Sequence, residues 1–404
     1  MKAIQLAVAA VVEAQTQQPT SVKTVPFPVQ KLHPTPTQMA TVTAALPSGF
    51  LALCSQNLPD VEITDSSDHF NTLLYTGNAT SRSISGVGLS PDWVWLKSRG
   101  DASGHRFFDV VRGATKGLSP ESTDNEYTES GLTSFDSDGF SLGTQAGTNG
   151  NTKPMVSWNW KAGGSASTIA AGSISSGVPS IASSVSANTT SGFSIVSLTT
   201  PGSGTAFTFG HGLGVQPDMM IAKGRETDGY SWIIYHRSIG AGVVISFSTS
   251  AAVANTNWLQ NTNPSSSIVY GNTTSWGANQ DYIAYCFAST EGFSKAGSFL
   301  GNNNADGAFV YTGFRPAWIM TKASNQGGTN YDWVIFDNTR NTFNVSDAYI
   351  DANLSAAEVA SGRNEIDILS NGFKCRSSYG DLNSAYTYIY LAFAESPFKF
   401  SNAR

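Results

Sequence analysis

Charge is what this chain has least of. Asp, Glu, Lys and Arg make up 13% of its 404 residues, about half the roughly 25% of an ordinary soluble domain. The formal balance is −6, so no basic stripe is available to release counterions from a phosphate backbone, and nucleic acid is set aside as a partner. Cys54, Cys286 and Cys375 are too few and too widely spaced for a disulfide framework or a compact zinc motif. The five histidines fit neither a metal-binding helix nor a catalytic dyad. Neither a phosphate-binding loop nor a nucleophile elbow is written in the chain. These absences lead to an expectation of no cofactor, no metal and no enzyme activity, with stability drawn from packing.

Long hydrophobic runs are also missing. The apolar stretch from Ile4 to Val12 is too short to span a bilayer, so no membrane insertion is expected. Ile4, Val8, Val11 and Val12 share one helical face, which predicts an amphipathic helix docked on a neighbouring subunit or on its own chain. Pro19, Pro26, Pro28, Pro34 and Pro36 follow, and prolines at that density remove donors and favour extended backbone. Residues 1–45 therefore read as a helix and an anchoring arm.

What the chain does have is recurrence. Gly88-Leu-Ser-Pro91-Asp-Trp-Val-Trp-Leu-Lys97, Gly212-Leu-Gly-Val-Gln-Pro217-Asp-Met-Met-Ile-Ala-Lys223 and Gly313-Phe-Arg-Pro316-Ala-Trp-Ile-Met-Thr-Lys322 each place lysine six positions after proline. An aromatic cassette trails each copy: Met155-Val-Ser-Trp-Asn-Trp160, Tyr282-Ile-Ala-Tyr-Cys-Phe287 and Tyr388-Ile-Tyr-Leu-Ala-Phe393. Opening strands begin near Phe70, Phe193 and Phe293. Periodicity on this scale means one structural unit used repeatedly. Short β-branched and aromatic runs broken by Gly, Asn and Ser predict an all-β fold of tandem β-sandwiches of jelly-roll or concanavalin-like type. The expected boundaries are repeat 1 at 46–163, a Gly/Ser/Ala-rich linker at 164–191, repeat 2 at 192–290 and repeat 3 at 291–404. Each run after the cassette proline is apolar at successive positions, which marks a strand covered on both faces. A short helix is expected near Asp351-Ala-Asn-Leu-Ser-Ala-Ala-Glu358.

Candidate chemistry is thin. Phe108-Asp109-Val-Val-Arg112 and Phe336-Asp337-Asn-Thr-Arg340 repeat an aromatic-Asp-x-x-Arg pattern that becomes Tyr235-His236 with Ile239 in repeat 2. A glycosidase needs two carboxylates flanking a bond, but a residue kept in two of three copies fits a turn-orienting Asp-Arg pair better. Asp136-Ser-Asp138-Gly139 lacks the remaining ligands of a calcium loop and reads as a turn. Trp93, Trp158, Trp160, Trp232, Trp318 and Trp333 occupy repeat-equivalent positions and belong to the core. Trp258 and Trp276 sit instead among Asn, Thr and Gln. With Asn257 and Asn261 they are the candidate glycan-binding surface, rings for stacking and amides for hydroxyls, against the alternative that they cap a sandwich.

Several segments resemble a repeat family of tailed bacteriophages: Tyr75-Thr-Gly-Asn78, Asp109-Val-Val-Arg-Gly-Ala-Thr-Lys116, Ser134-Phe-Asp-Ser-Asp-Gly-Phe140, Gly210-His-Gly-Leu-Gly-Val215, Tyr311-Thr-Gly-Phe-Arg-Pro316 and Tyr388-Ile-Tyr-Leu-Ala-Phe-Ala-Glu-Ser-Pro-Phe-Lys399. The resemblance covers about Leu46 to Arg404 and implies concanavalin-like β-sandwiches in virion structural proteins, with no catalytic residues to carry over. Relatives of this kind often place a SPRY-like domain before the Leu46-Pro-Ser-Gly-Phe50 junction, where this chain has its helix and arm. The expectation is a tail fibre or appendage that meets host glycans, folds in the bacterial cytoplasm, resides in the virion, contacts other virion proteins through residues 1–45, and forms a homo-oligomer, a trimer among the options. The alternatives are a capsid decoration or head-fibre protein, and a polysaccharide depolymerase.

Overall fold

The computed structural model describes residues 60–400 apart from Ser176, Val253, Thr256, Thr329, Asn330, Ser361, Arg363 and Asn364. Ile4, Val8, Val11, Val12, the proline-rich arm and Cys54 lie outside these residues. The fold is all β, built from antiparallel sheets packed as sandwiches.

Each repeat makes a large sheet with one strand order: opening, closing, cassette, return. In repeat 1 these are Phe70–Thr76, Pro154–Trp160, Trp93–Ser98 and Arg106–Asp109. In repeat 2 they are Phe193–Thr199, Asp281–Phe287, Met219–Gly224 and Ile233–His236. In repeat 3 they are Ser294–Leu300, Thr387–Pro397, Phe314–Ala323 and Val334–Asp337. A small sheet covers the outer face of each: Arg82–Ser85 with Gly139–Leu142 and Ser134–Asp136, Ala206–Gly210 with Ile268–Asn272, and Phe309–Tyr311 with Gly372–Cys375 and Ile366–Leu369.

The double-sided apolar cassettes follow from this arrangement. Successive side chains of a strand point to opposite faces. Val94 and Leu96 enter the outer core of repeat 1, while Trp93 and Trp95 point the other way. In repeat 2, Met220 and Ala222 face outward and Met219 and Ile221 inward. The inward residues of all three repeats form one shared core. Trp93 stacks on Trp160 at 4.2 Å and on Tyr285 at 4.5 Å, Trp160 meets Trp318 edge-on at 5.6 Å, and Phe70 stacks on Phe393 at 5.2 Å. Such ring pairs contribute about 0.5–1.5 kcal/mol each beyond the area they bury. The sandwiches are thus tandem in sequence but share one interior.

Three local features differ from the sequence expectations. The segment 164–191 is not a plain linker: its strand Ser183–Asn188 pairs along the opening strand of repeat 2, and Ser167–Ile169 pairs on Ser183–Asn188. Its Ser and Ala content suits the thin edge it fills, with Val185 as its buried anchor. The ladder also sets Ser294 opposite Phe393, where Phe70 faces Trp160 and Phe193 faces Phe287, so the opening of repeat 3 is offset by one residue from its apparent Phe293 match. No helix forms at 351–358: Asp351 ends a strand, and the Ala352 amide bonds to the Trp333 carbonyl. Tertiary pairing overrides the helix propensity there.

Gly163 marks where the 164–191 segment turns into the fold. A Cβ at this position would stand 2.4 Å from the Ala187 carbonyl oxygen. Gly163→Ala should therefore cost about 1–3 kcal/mol, the range for overpacking, read as a lowered midpoint in denaturant unfolding.

Candidate functional site

Asp109 and Asp337, the carboxylates a glycosidase would need, are fully buried. Asp109 Oδ1 accepts the amides of Val111 and Arg112, and Oδ2 accepts Arg112 Nε at 2.5 Å. Asp337 repeats this with Thr339, Arg340 and Arg340 Nε. Each pair therefore orients the turn after its return strand. The remaining contact of each carboxylate crosses to another repeat. Tyr285 of repeat 2 donates to Asp109 at 2.8 Å, and the Trp158 indole of repeat 1 donates to Asp337 at 3.0 Å.

Tyr285 and Trp158 occupy the same position of the closing strand, and in repeat 3 that position is Leu391, which has nothing to donate. The residue facing it from repeat 2 is not aspartate but His236. The His236 Nδ1 accepts the Ser238 amide, so Nε2 carries the proton and donates to the Tyr390 carbonyl at 3.3 Å. Three equivalent latches thus run from repeat 1 to 2, from 2 to 3 and from 3 to 1.

A second set runs the opposite way, four residues earlier in the return region. The Trp232 indole donates to Ser119 O at 2.8 Å, Trp333 to Ser246 O at 2.9 Å, and His105 Nε2 meets the carbonyls of Asp351 and Leu354 at 3.1 Å. Glu126 bridges Arg112 to Arg225 of repeat 2, and Glu358 bridges Arg340 to Arg99 of repeat 1. At the third junction the matching positions are Ile239 and Ser324, and no ion pair joins repeats 2 and 3 among the described residues. Buried charges need partners, and the buried arginine of the return turn occurs in the two repeats where an aspartate and a bridging glutamate hold it.

The cassette lysines are structural too. Lys97, Lys223 and Lys322 are fully buried and donate to backbone carbonyls, Ser98 and Asp101, Tyr230 and Thr123, and Ala323 and Gln326 respectively. Burial lowers all three to about 8. The Asp138 carboxylate is occupied by the amides of Gly86 and Gly88, consistent with a turn.

Trp258 and Trp276 require a correction, since neither offers a surface for a sugar. They are 2% and 0% exposed and stack on each other at 4.3 Å with planes 2° apart. The surrounding amides serve the chain itself: Asn272 caps the helix Thr273–Trp276, and Gln260 Nε2 donates to the carbonyls of Phe207 and Gly271. Asn257 and Asn261 are exposed, but the rings they were to accompany are core.

An open concavity lies elsewhere, at the junction of repeats 2 and 3. It is an open cleft of about 480 Å³ lined by Asp218, Ser289, Glu291, Lys295 and Tyr311 among others. Tyr311 is 53% exposed, and Lys295 Nζ donates to its carbonyl at 3.0 Å while sitting 5.3 Å over its ring. Asp218 is held by Arg237 and by the Ser289 amide. An open ring beside hydroxyls and carboxylates can hold a small polar ligand such as a sugar. The sequence signal is weak: in Phe309-Val-Tyr311 only Val310 turns inward.

Two expectations follow from the latches. Trp158→Phe keeps an aromatic ring but removes the indole donor to buried Asp337, and should cost at least about 1–3 kcal/mol in unfolding free energy. His105, His211 and His236 are held neutral by burial, at about 3, 4 and 4. Unfolded histidine takes a proton near 6.5, so the stability these groups hold above that pH is lost as pH falls toward 4. His236→Gln, which keeps a donor, should flatten urea-midpoint loss between pH 6.5 and 4, by up to about 1.4 kcal/mol per pH unit.

Among curated proteins and solved structures no match is found. A family model described as Domain of unknown function (DUF7483) matches residues 65–397, a span that takes in all three repeats, and the chain belongs to that family.

Proposed function

We propose that this protein is a bacteriophage virion structural component, a tail fibre or appendage that contacts host-surface glycan through the cleft between repeats 2 and 3. The observation that carries this reading is the pairing of a latched, shared-core scaffold with a shallow cleft whose exposed aromatic is Tyr311. Sandwiches sharing one core, in a chain with few charged residues, suit a particle component. Cys286 and Cys375 are free and buried, as suits assembly in a reducing bacterial cytoplasm. Among the described residues no helix is long and apolar enough to cross a membrane. Residues 1–45 are the proposed link to other virion proteins.

The depolymerase alternative needs two carboxylates reachable by a polymer. Asp109 and Asp337 are closed inside the latches, so they give it no support. The decoration or head-fibre alternative differs only in lacking a receptor.

Binding of the purified chain to an array of host-surface polysaccharides, lost in Tyr311→Ala at unchanged thermal stability, is the expected outcome. Absence of binding to any glycan or to host cells would reject the attachment role and favour decoration. Release of reducing ends from those polysaccharides would reject the non-enzymatic reading.

A further inference from the structure

In each sandwich the large and small sheets meet along one side, where the opening strand and the first strand of the small sheet both end their ladders. Repeat 2 shows what closes such a side. Residues 178–188 first run along Ala206–Gly210: Ser180 and Ile181 donate amides to Thr208 O at 2.9 and 3.1 Å, the Ser180 hydroxyl accepts the Thr208 amide at 2.8 Å, and the Ser183 hydroxyl donates to Gly210 O at 2.7 Å. They then pair with the opening strand from Ser183 to Asn188, burying Val185.

The same side of repeat 1 is polar. Arg82 donates to Thr76 O and lies 5.6 Å over Tyr75, and the hydroxyls of Ser83 and Ser141 are bonded at 2.8 Å. Charge placed there is a common guard against edge pairing. On repeat 3 both are partial: Lys295 donates to Tyr311 O and lies over the Tyr311 ring, and Thr290 bridges Ser294 at the start of the edge, so the uncovered stretch among the described residues runs from Ser298 to Leu300 beside exposed apolar side chains. Beyond the Thr290–Ser294 bridge, Ser294–Leu300 pairs with the closing strand and Phe309–Tyr311 with Gly372–Cys375. Leu300, Phe309 and Tyr311 are 68, 47 and 53% exposed. The Ala296 amide is bonded to the Ser289 hydroxyl rather than to the closing strand, so by antiparallel alternation the amides of Ser298 and Leu300 also face the free side.

The chain contains a second segment of the covering type. Pro179-Ser-Ile-Ala-Ser-Ser-Val-Ser-Ala187, followed by Ser191-Gly-Phe193, is matched without a gap by Pro36-Thr-Gln-Met-Ala-Thr-Val-Thr-Ala44, followed by Ser48-Gly-Phe50. In that match of sequence Val42 corresponds to Val185, the buried anchor on repeat 2. Repeat 1, which this segment precedes, has its own side guarded by Arg82.

We propose that the uncovered stretch of this edge, from Ser298 to Leu300 and along Phe309–Tyr311, receives residues 36–44 of a second copy of this chain as an added strand, in the manner of residues 178–188 on repeat 2. Main-chain bonds to the edge supply affinity and the valine position supplies register. This inference does not rest on the glycan reading, and Tyr311→Ala is not used to test it.

The test uses full-length chains and their masses by light scattering across a concentration series. Ser298→Pro removes an outward edge donor at a position where an edge strand tolerates proline. Val42→Asp spoils the donor segment. The wild-type chain should associate with rising concentration, each variant should remain monomeric with an unchanged circular dichroism spectrum, and an equimolar mixture of the two should regain a dimer, because one retains the intact segment and the other the intact edge. A wild-type chain that is monomeric throughout, or variants that associate like wild type, would overturn the proposal. Failure of the mixture to regain association would also overturn it.

Discussion

The structure depends on a set of buried polar latches that hook each repeat to the next. A sandwich of this size could bury its outer face alone under its small sheet, but the inner face of each large sheet carries tryptophan and phenylalanine that only the other two repeats can cover. Apolar burial supplies most of the driving force, yet it is non-directional and would allow the sheets to slide. Asp109 to Tyr285, Asp337 to Trp158 and His236 to the Tyr390 carbonyl fix which repeat meets which, and at what height. A buried carboxylate without its donor is costly, so a slipped arrangement is penalised.

The exceptions show why. Where the closing strand offers an indole or a phenol, the facing residue is aspartate with its arginine. Where it offers Leu391, the facing residue is a neutral histidine, the arginine position becomes Ile239, and the bridging arginine position becomes Ser324. Among the described residues the junction of repeats 2 and 3 is therefore crossed by no ion pair, and an open cleft lies there. Absence of the bridging ion pairs and opening of the groove coincide at one junction.

Much of this architecture is legible in the amino-acid sequence. The period of the cassettes, the doubly apolar strands, the Asp-Arg turns and the core tryptophans all follow from side-chain alternation and from comparing one copy with another. The departures have physical causes. Trp258 and Trp276 read as exposed because their neighbours are Asn, Thr and Gln, but those residues cap a short helix and bond to backbone around a buried ring pair. Residues 164–191 read as a linker because Ser and Ala pack into a thin edge strand as readily as they fill a flexible one. Tyr311 does not stand out because nothing in its local pattern says that its strand is the edge of the small sheet.

By itself the sequence determined the all-β class, the threefold repetition, the strand that each cassette forms and the residues that fill it, because these depend on local alternation and on patterns repeated along one chain. Tertiary structure decided that the three inner faces would share a single core, that aspartate and lysine would be latches and caps rather than reagents, and which edge would be left open. Those outcomes depend on contacts between residues more than a hundred positions apart, such as Trp158 with Asp337, and on hydrogen bonds whose partners no local pattern names.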